Sequence, residues 1–133
     1  MSSALPKEMQ CVEISAPGKP DVLRPATRAV PAPKPGEVLV KVAATGVNGP
    51  DMMQRKGLYP APPGASDLLG LEISGEVVAL GDGVTRWKAG DKIAALTNGG
   101  GYAEYCAVDA QHCLPLPAGV SLRDAGSLPE TFF

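Results

Sequence analysis

The sequence predicts a mainly β domain, an antiparallel barrel or sandwich that carries one or two short helices. Three observations predict it. Strand-like segments follow one another without regular helices between them, which disfavours a doubly wound parallel sheet. The stretch EVLVKVAATGV, residues 37–47, alternates: Val38, Val40 and Val42 share one face, and Leu39, Lys41 and Ala43 the other. The 16 glycines and 14 prolines of the 133 residues are dispersed along the chain, as in a loop-rich, strand-rich globule and unlike a helical bundle.

Taken in order, MQCVEIS (9–15) has strand composition and APGKPDVL reads as a turn. VLRPATRAV (22–30) is a second extended segment, and Pro25 favours an edge position for it. PAPKPG (31–36) is a stiff connector into the alternating strand. GPDMMQRKG (49–57) suits a short helix: Pro50 in its first turn, Asp51 at its positive end, Gly57 at its stop. YPAPPGASD is a loop. LGLEISGEVVALG (69–81) is a strand whose central Gly75 marks a bulge or a tight bend. GDGV turns into a further strand in KAGDKIAAL. GYAEYCAVD alternates again, HCLPLPAGV is extended, and SLRDAGSLPE starts a helix with Ser121 as its N-cap. There is no internal repeat.

At this length, with 44% hydrophobic residues, one domain with a real core is expected. A net charge of -2 without blocks of like charge gives no footprint for nucleic acid or an anionic membrane. The longest apolar run falls far short of a membrane span. MSSALPKEMQ lacks an apolar signal core, so a cytoplasmic protein is expected. Cys11, Cys106 and Cys113 are an odd, loosely spaced set that reads as reduced thiols. The cluster Cys106, His112 and Cys113 matches no common zinc spacing, so no metal site is expected.

Several stretches then align in order: VKVAATGVNGPDMMQRKGLY, LGLEISGEVVALGDGV, WKAGDKIAAL with GGGYAEYCAV, and a final LPE. Together they resemble the N-terminal half of the medium-chain dehydrogenase/reductase superfamily, over about residues 9–133. The resemblance implies a GroES-like, partly open antiparallel barrel. Zinc-dependent members carry a cysteine and a histidine where this chain has Asn48 and Leu71, neither a usual zinc ligand. The four-cysteine structural lobe of those members is also missing. The chain therefore resembles the zinc-independent quinone oxidoreductases, the branch of zeta-crystallin and the p53-inducible quinone oxidoreductase. That implies hydride transfer from NADPH to a quinone or enone in a homodimeric full-length enzyme. The family's Rossmann cofactor domain follows the segment where this chain stops, and no G-x-G-x-x-G opens a helix here. Residues 1–133 are therefore expected to be the substrate-side domain of a truncated enzyme, inactive by itself. A free-standing GroES-like binding or assembly module, with an interface at residues 128–133, is the alternative. A zinc alcohol dehydrogenase domain is a third reading, which Asn48 and Leu71 disfavour.

Candidate site residues follow from the same motifs. Asn48 sits in a turn-forming Asn-Gly pair, so it serves either as a local cap or, as the resemblance implies, at the nicotinamide cleft. The resemblance assigns Asn48 and Tyr59 to catalysis, and Asn48, Asp51 and Tyr59 to cofactor contact. For Tyr59 the competing reading is a loop aromatic packed on the barrel, and for Asp51 a helix cap. Met52 is expected either to line a quinone pocket or to fill the core with Met53. Glu72 reads as a strand carboxylate paired with a basic residue, and Trp87 as structural.

Overall fold

A computed structural model describes residues 4–132. Strands β1 (Glu8–Ile14) and β2 (Leu23–Ala29) form an antiparallel hairpin in full register, Glu8 opposite Ala29 through Ile14 opposite Leu23. The main sheet holds β3 (Glu37–Thr45), β4 (Glu72–Leu80), β5 (Lys92–Leu96), β6 (Tyr105–Asp109) and β7 (Cys113–Pro115). Its order is β6-β3-β4-β5-β7, antiparallel throughout. The two sheets do not close into a barrel. Instead residues 102–104 bridge them: Val12 N donates to Tyr102 O at 3.0 Å, Glu104 N to Gln10 O at 3.1 Å and Val42 N to Glu104 O at 2.8 Å. This is the mainly β, partly open GroES-like architecture that the motifs imply.

The alternation in β3 sorts side chains between two cores. Val38 and Val40 enter a cluster with Ile73, Val77, Trp87, Ile93 and Val108, and half-buried Val42 packs against it. Leu39, on the opposite face, joins Met9, Cys11, Leu68 and Tyr105 beneath the hairpin. Lys41 and Ala43 are exposed. Trp87 is buried and structural; its Nε1–H donates to Ala110 O at 2.9 Å, and the Arg86 guanidinium lies 5.2 Å from the ring centre. All three cysteines are free and buried. Burial pushes the Cys106 thiol up to about 11 and the Cys113 thiol up to about 12, which keeps both protonated at neutral pH.

Three short helices complete the domain: α1 (Gly49–Arg55), α2 (Leu122–Ala125) and α3 (Pro129–Phe132). Ser121 caps α2 as its sequence predicts, its hydroxyl accepting from Asp124 N at 3.1 Å. The helical signal of residues 121–130 is split, because the chain turns between Gly126 and Leu128 before Pro129 starts α3. Ser74 Oγ on β4 donates to Leu122 O, which docks α2 onto the sheet.

The glycine in β4 has a steric reason. The β3–β4 register shifts between Val42 and Ala44, beside the Val42–Gly75 pair. A Cβ on Gly75 would stand 2.2 Å from Lys41 O, so the strands approach there only because no side chain intervenes. The variant Gly75→Ala must therefore push β3 from β4 and lose about 1–3 kcal/mol of stability. Chemical denaturation reads this directly, and a wild-type midpoint would contradict the close approach.

Candidate functional site

The site is built where β3 ends and β4 begins. β3 runs out at Thr45, whose hydroxyl donates to Glu72 O at 2.8 Å and fastens the two strand ends together. Gly46 and Val47 follow, and Asn48 takes an extended conformation as the N-cap of α1. Pro50 lies in the first turn, where its missing N–H costs no helical hydrogen bond. Asp51 reaches back, and its Oδ2 accepts from Asn48 N at 3.0 Å, the carboxylate half of a capping box.

Asp51 does more than cap. It is only 2% exposed. Its Oδ1 accepts from Gly70 N at 3.2 Å, and its Oδ2 also accepts from the Tyr102 hydroxyl at 2.9 Å. One carboxylate thus joins α1, the approach to β4 and the bridge between the sheets. Burial, and then the adjacent Asp51 charge, raise the Tyr102 hydroxyl above the ordinary tyrosine range, so it stays a donor.

Glu72 corrects an expectation. It forms no ion pair with a basic residue among the described residues. It is 1% exposed; its Oε1 accepts from Asn48 Nδ2 at 2.9 Å and its Oε2 from Glu130 N at 2.8 Å. Two amide donors, rather than a cation, satisfy the buried carboxylate. Asn48 is therefore held from two sides, by Asp51 at its backbone and by Glu72 at its side chain. With Nδ2 engaged by Glu72, its carbonyl oxygen is the acceptor that remains, on the side of the Asp51 N–H in the capping box.

The other predicted residues lie elsewhere on this rim. Tyr59 is 45% exposed in the loop after α1, and no hydrogen bond joins it to Asn48, Asp51 or Glu72. Met52 and Met53 are exposed on α1 and do not fill the core. With Val47 and Leu58 they make this edge rich in exposed apolar side chains. At the proposed assembly interface, Leu128 is half-buried and Pro129 buried, while Phe133 lies outside the described residues. Among the described residues no three His, Cys, Asp or Glu side chains gather as a metal site. Leu71 is half-buried beside Glu72.

Sequence reasoning missed Tyr102. Its segment, GGGYAE, resembles a dinucleotide motif only in part, and its tyrosine becomes meaningful once residues 102–104 are seen to bridge the sheets. A polar aromatic inside a glycine-rich strand connection was the available signal.

Residues 34–118 match the family model of the alcohol dehydrogenase GroES-like domain. The chain belongs to that family. Among GroES-like relatives, a Danio rerio synaptic vesicle membrane protein VAT-1 homolog is 39% identical over 102 residues, covering 77% of this chain and 21% of its own length. A quinone oxidoreductase from Rattus norvegicus is 33% identical over 129 residues, covering 96% of this chain and 39% of its own length. The crystal structure of the human synaptic vesicle membrane protein VAT-1 homolog-like protein superposes with a TM-score of 0.87 at 34% identity, over 94% of this chain and 40% of that one. This GroES-like chain thus spans less than half the length of these relatives, and they place it in the medium-chain dehydrogenase/reductase group.

The Tyr102–Asp51 bond carries a stability prediction. Removing a donor from a buried carboxylate costs roughly 1.5–3 kcal/mol, so Tyr102→Phe lowers stability by that order at neutral pH. The wild-type contribution is complete below the ordinary tyrosine range. It is lost as pH rises, because the unfolded chain releases the phenolic proton before the folded one does. Denaturation curves at neutral and alkaline pH check both statements; a Tyr102→Phe variant that matches wild type at neutral pH contradicts them.

Proposed function

We propose that this domain is the substrate-side half of a zinc-independent, NADPH-dependent oxidoreductase that reduces a quinone or enone. The single observation that carries the proposal is the doubly held Asn48 at the end of β3, in a chain whose relatives include named quinone oxidoreductases. NADPH would supply the hydride when bound. The residues present fit its nicotinamide end: an oriented amide, with Met52 exposed on α1 and Tyr59 exposed in the loop after it. They do not offer a pyrophosphate cradle, since no glycine-rich turn leads from a strand into a helix at this site.

The chain's own residues would then do three things. Asn48 takes a hydroxyl of the nucleotide on its carbonyl oxygen. Asp51 reaches the cofactor through Asn48, since both of its oxygens are engaged within the domain. Tyr59, on its exposed loop, closes over the acceptor and donates to the oxygen on which negative charge develops. Met52 offers an apolar, adaptable wall for a flat ring. The zinc-independence follows from the side chains: an amide whose nitrogen faces a carboxylate, next to a leucine, is a poor ligand set. The proposal includes a cytoplasmic location and a homodimer for the whole enzyme. No helix among the described residues is long and apolar enough to cross a membrane.

The test is NADPH oxidation with 9,10-phenanthrenequinone. The pure 133-residue chain is expected to show little or no turnover. Joined to a dinucleotide-binding domain, it turns over, and Asn48→Ala lowers kcat/KM by on the order of tenfold, the loss of one good hydrogen bond at the site. An unchanged kcat/KM would overturn the role given to Asn48, and robust turnover by the chain alone would overturn the half-site.

A further inference from the structure

Glu72 is buried at 1% exposure without a basic partner among the described residues. A carboxylate in that state persists only if donors meet its lone pairs. Two do, on opposite oxygens: Asn48 Nδ2 at 2.9 Å and Glu130 N at 2.8 Å. The first contact also requires Gly46, because a Cβ there would stand 1.8 Å from Glu72 Oε1. A residue that merely filled the head of β4 would need none of this. Replacing buried charge by apolar side chains of similar volume is often neutral or stabilising.

We propose that Glu72 is a positioning residue: it fixes the Asn48 amide with Nδ2 inward, so that Oδ1 meets a hydroxyl donor of the nicotinamide nucleotide, and ties that orientation to the start of α3. The inference rests on the nucleotide-binding reading of Asn48 given above. Its chemistry is simple. The Glu72 oxygen accepts, and the amide meets it with its N–H end. That hydrogen bond makes the choice before any ligand arrives, which removes an ordering cost from binding. Oε2 takes the Glu130 N–H, the first that α3 can offer because Pro129 has none. A glutamine at position 72 has one acceptor oxygen for two donors. One of them loses its acceptor, and the Asn48 amide is free to turn over.

The test uses the chain joined to a dinucleotide-binding domain, as in the activity assay, labelled with nitrogen-15 and titrated with NADPH in the NMR spectrometer. In wild type the Asn48 Nδ2 protons exchange slowly, lie close to the Glu72 Hγ protons, and shift when NADPH is added. Glu72→Gln keeps a dispersed, folded spectrum, loses the slow exchange, and binds NADPH about tenfold more weakly. In an Asn48→Ala background the same substitution adds no further loss, because its effect travels through Asn48. Freely exchanging Nδ2 protons in wild type overturn the positioning role, and so does a Glu72→Gln chain that binds as tightly as wild type. Neither result touches the nucleotide-binding reading. A wild-type chain whose Asn48 resonances ignore NADPH overturns that reading, and the positioning role with it. If Glu72→Gln does not fold, the wild-type exchange and proximity measurements decide alone.

Discussion

Two buried carboxylates without cations constrain this domain more than any other interaction. Asp51 and Glu72 are each at most 2% exposed, and each is satisfied entirely by hydrogen-bond donors. Such groups are costly unless every acceptor site is met with good geometry. Five donors come from four places in the chain: Asn48 through backbone and side chain, Gly70, Tyr102 and Glu130. The carboxylates therefore act as nodes that set where the α1 turn, the head of β4, the bridge between sheets and the start of α3 can lie. Asn48 stands between the two nodes, held by Asp51 at its backbone and by Glu72 at its side chain.

The surrounding backbone gives way to the nodes. Gly46 lets Glu72 Oε1 come up to the β3 turn, and Gly75 lets β3 and β4 close together behind it. The Thr45 hydroxyl on Glu72 O locks the two strand ends at the same level. Each is a local adjustment that would be pointless without the network, and each sits within three residues of a node or of its strand partner. The hydrophobic clusters, by contrast, lie along the sheet on either side of β3 and ask only for apolar side chains of suitable volume. Packing makes the scaffold, and the polar nodes make the rim.

Most of the scaffold was legible in the sequence because periodicity reports burial. The alternation at residues 37–47 gave β3 and the correct partition of Val38, Val40 and Leu39, and Gly75 marked the bend or bulge that appears as a register shift beside it. Pro50, Asp51 and Ser121 marked helix starts through capping chemistry that acts within a few residues. The site was legible only in part. Asn48 and Asp51 are local to one turn, so their capping relation is readable. Glu72 was misread because a lone acidic residue on a strand gives no sign of its partner; its donors are 24 and 58 residues away. Tyr102 was missed for the same reason, 51 residues from the carboxylate it serves. Long-range polar pairing has no period and leaves no pattern in one sequence.

The identity of residue 48 is also a consequence of Glu72. A thiolate in its place would have no N–H to offer, and the buried Glu72 oxygen would lose that donor. A neutral amide meets the same carboxylate with its own N–H at 2.9 Å and needs nothing else. Asn48 and Glu72 are therefore one electrostatic solution and not two independent choices. A rim built on this pair is complete without a positive charge, and the amide oxygen it leaves over is an acceptor.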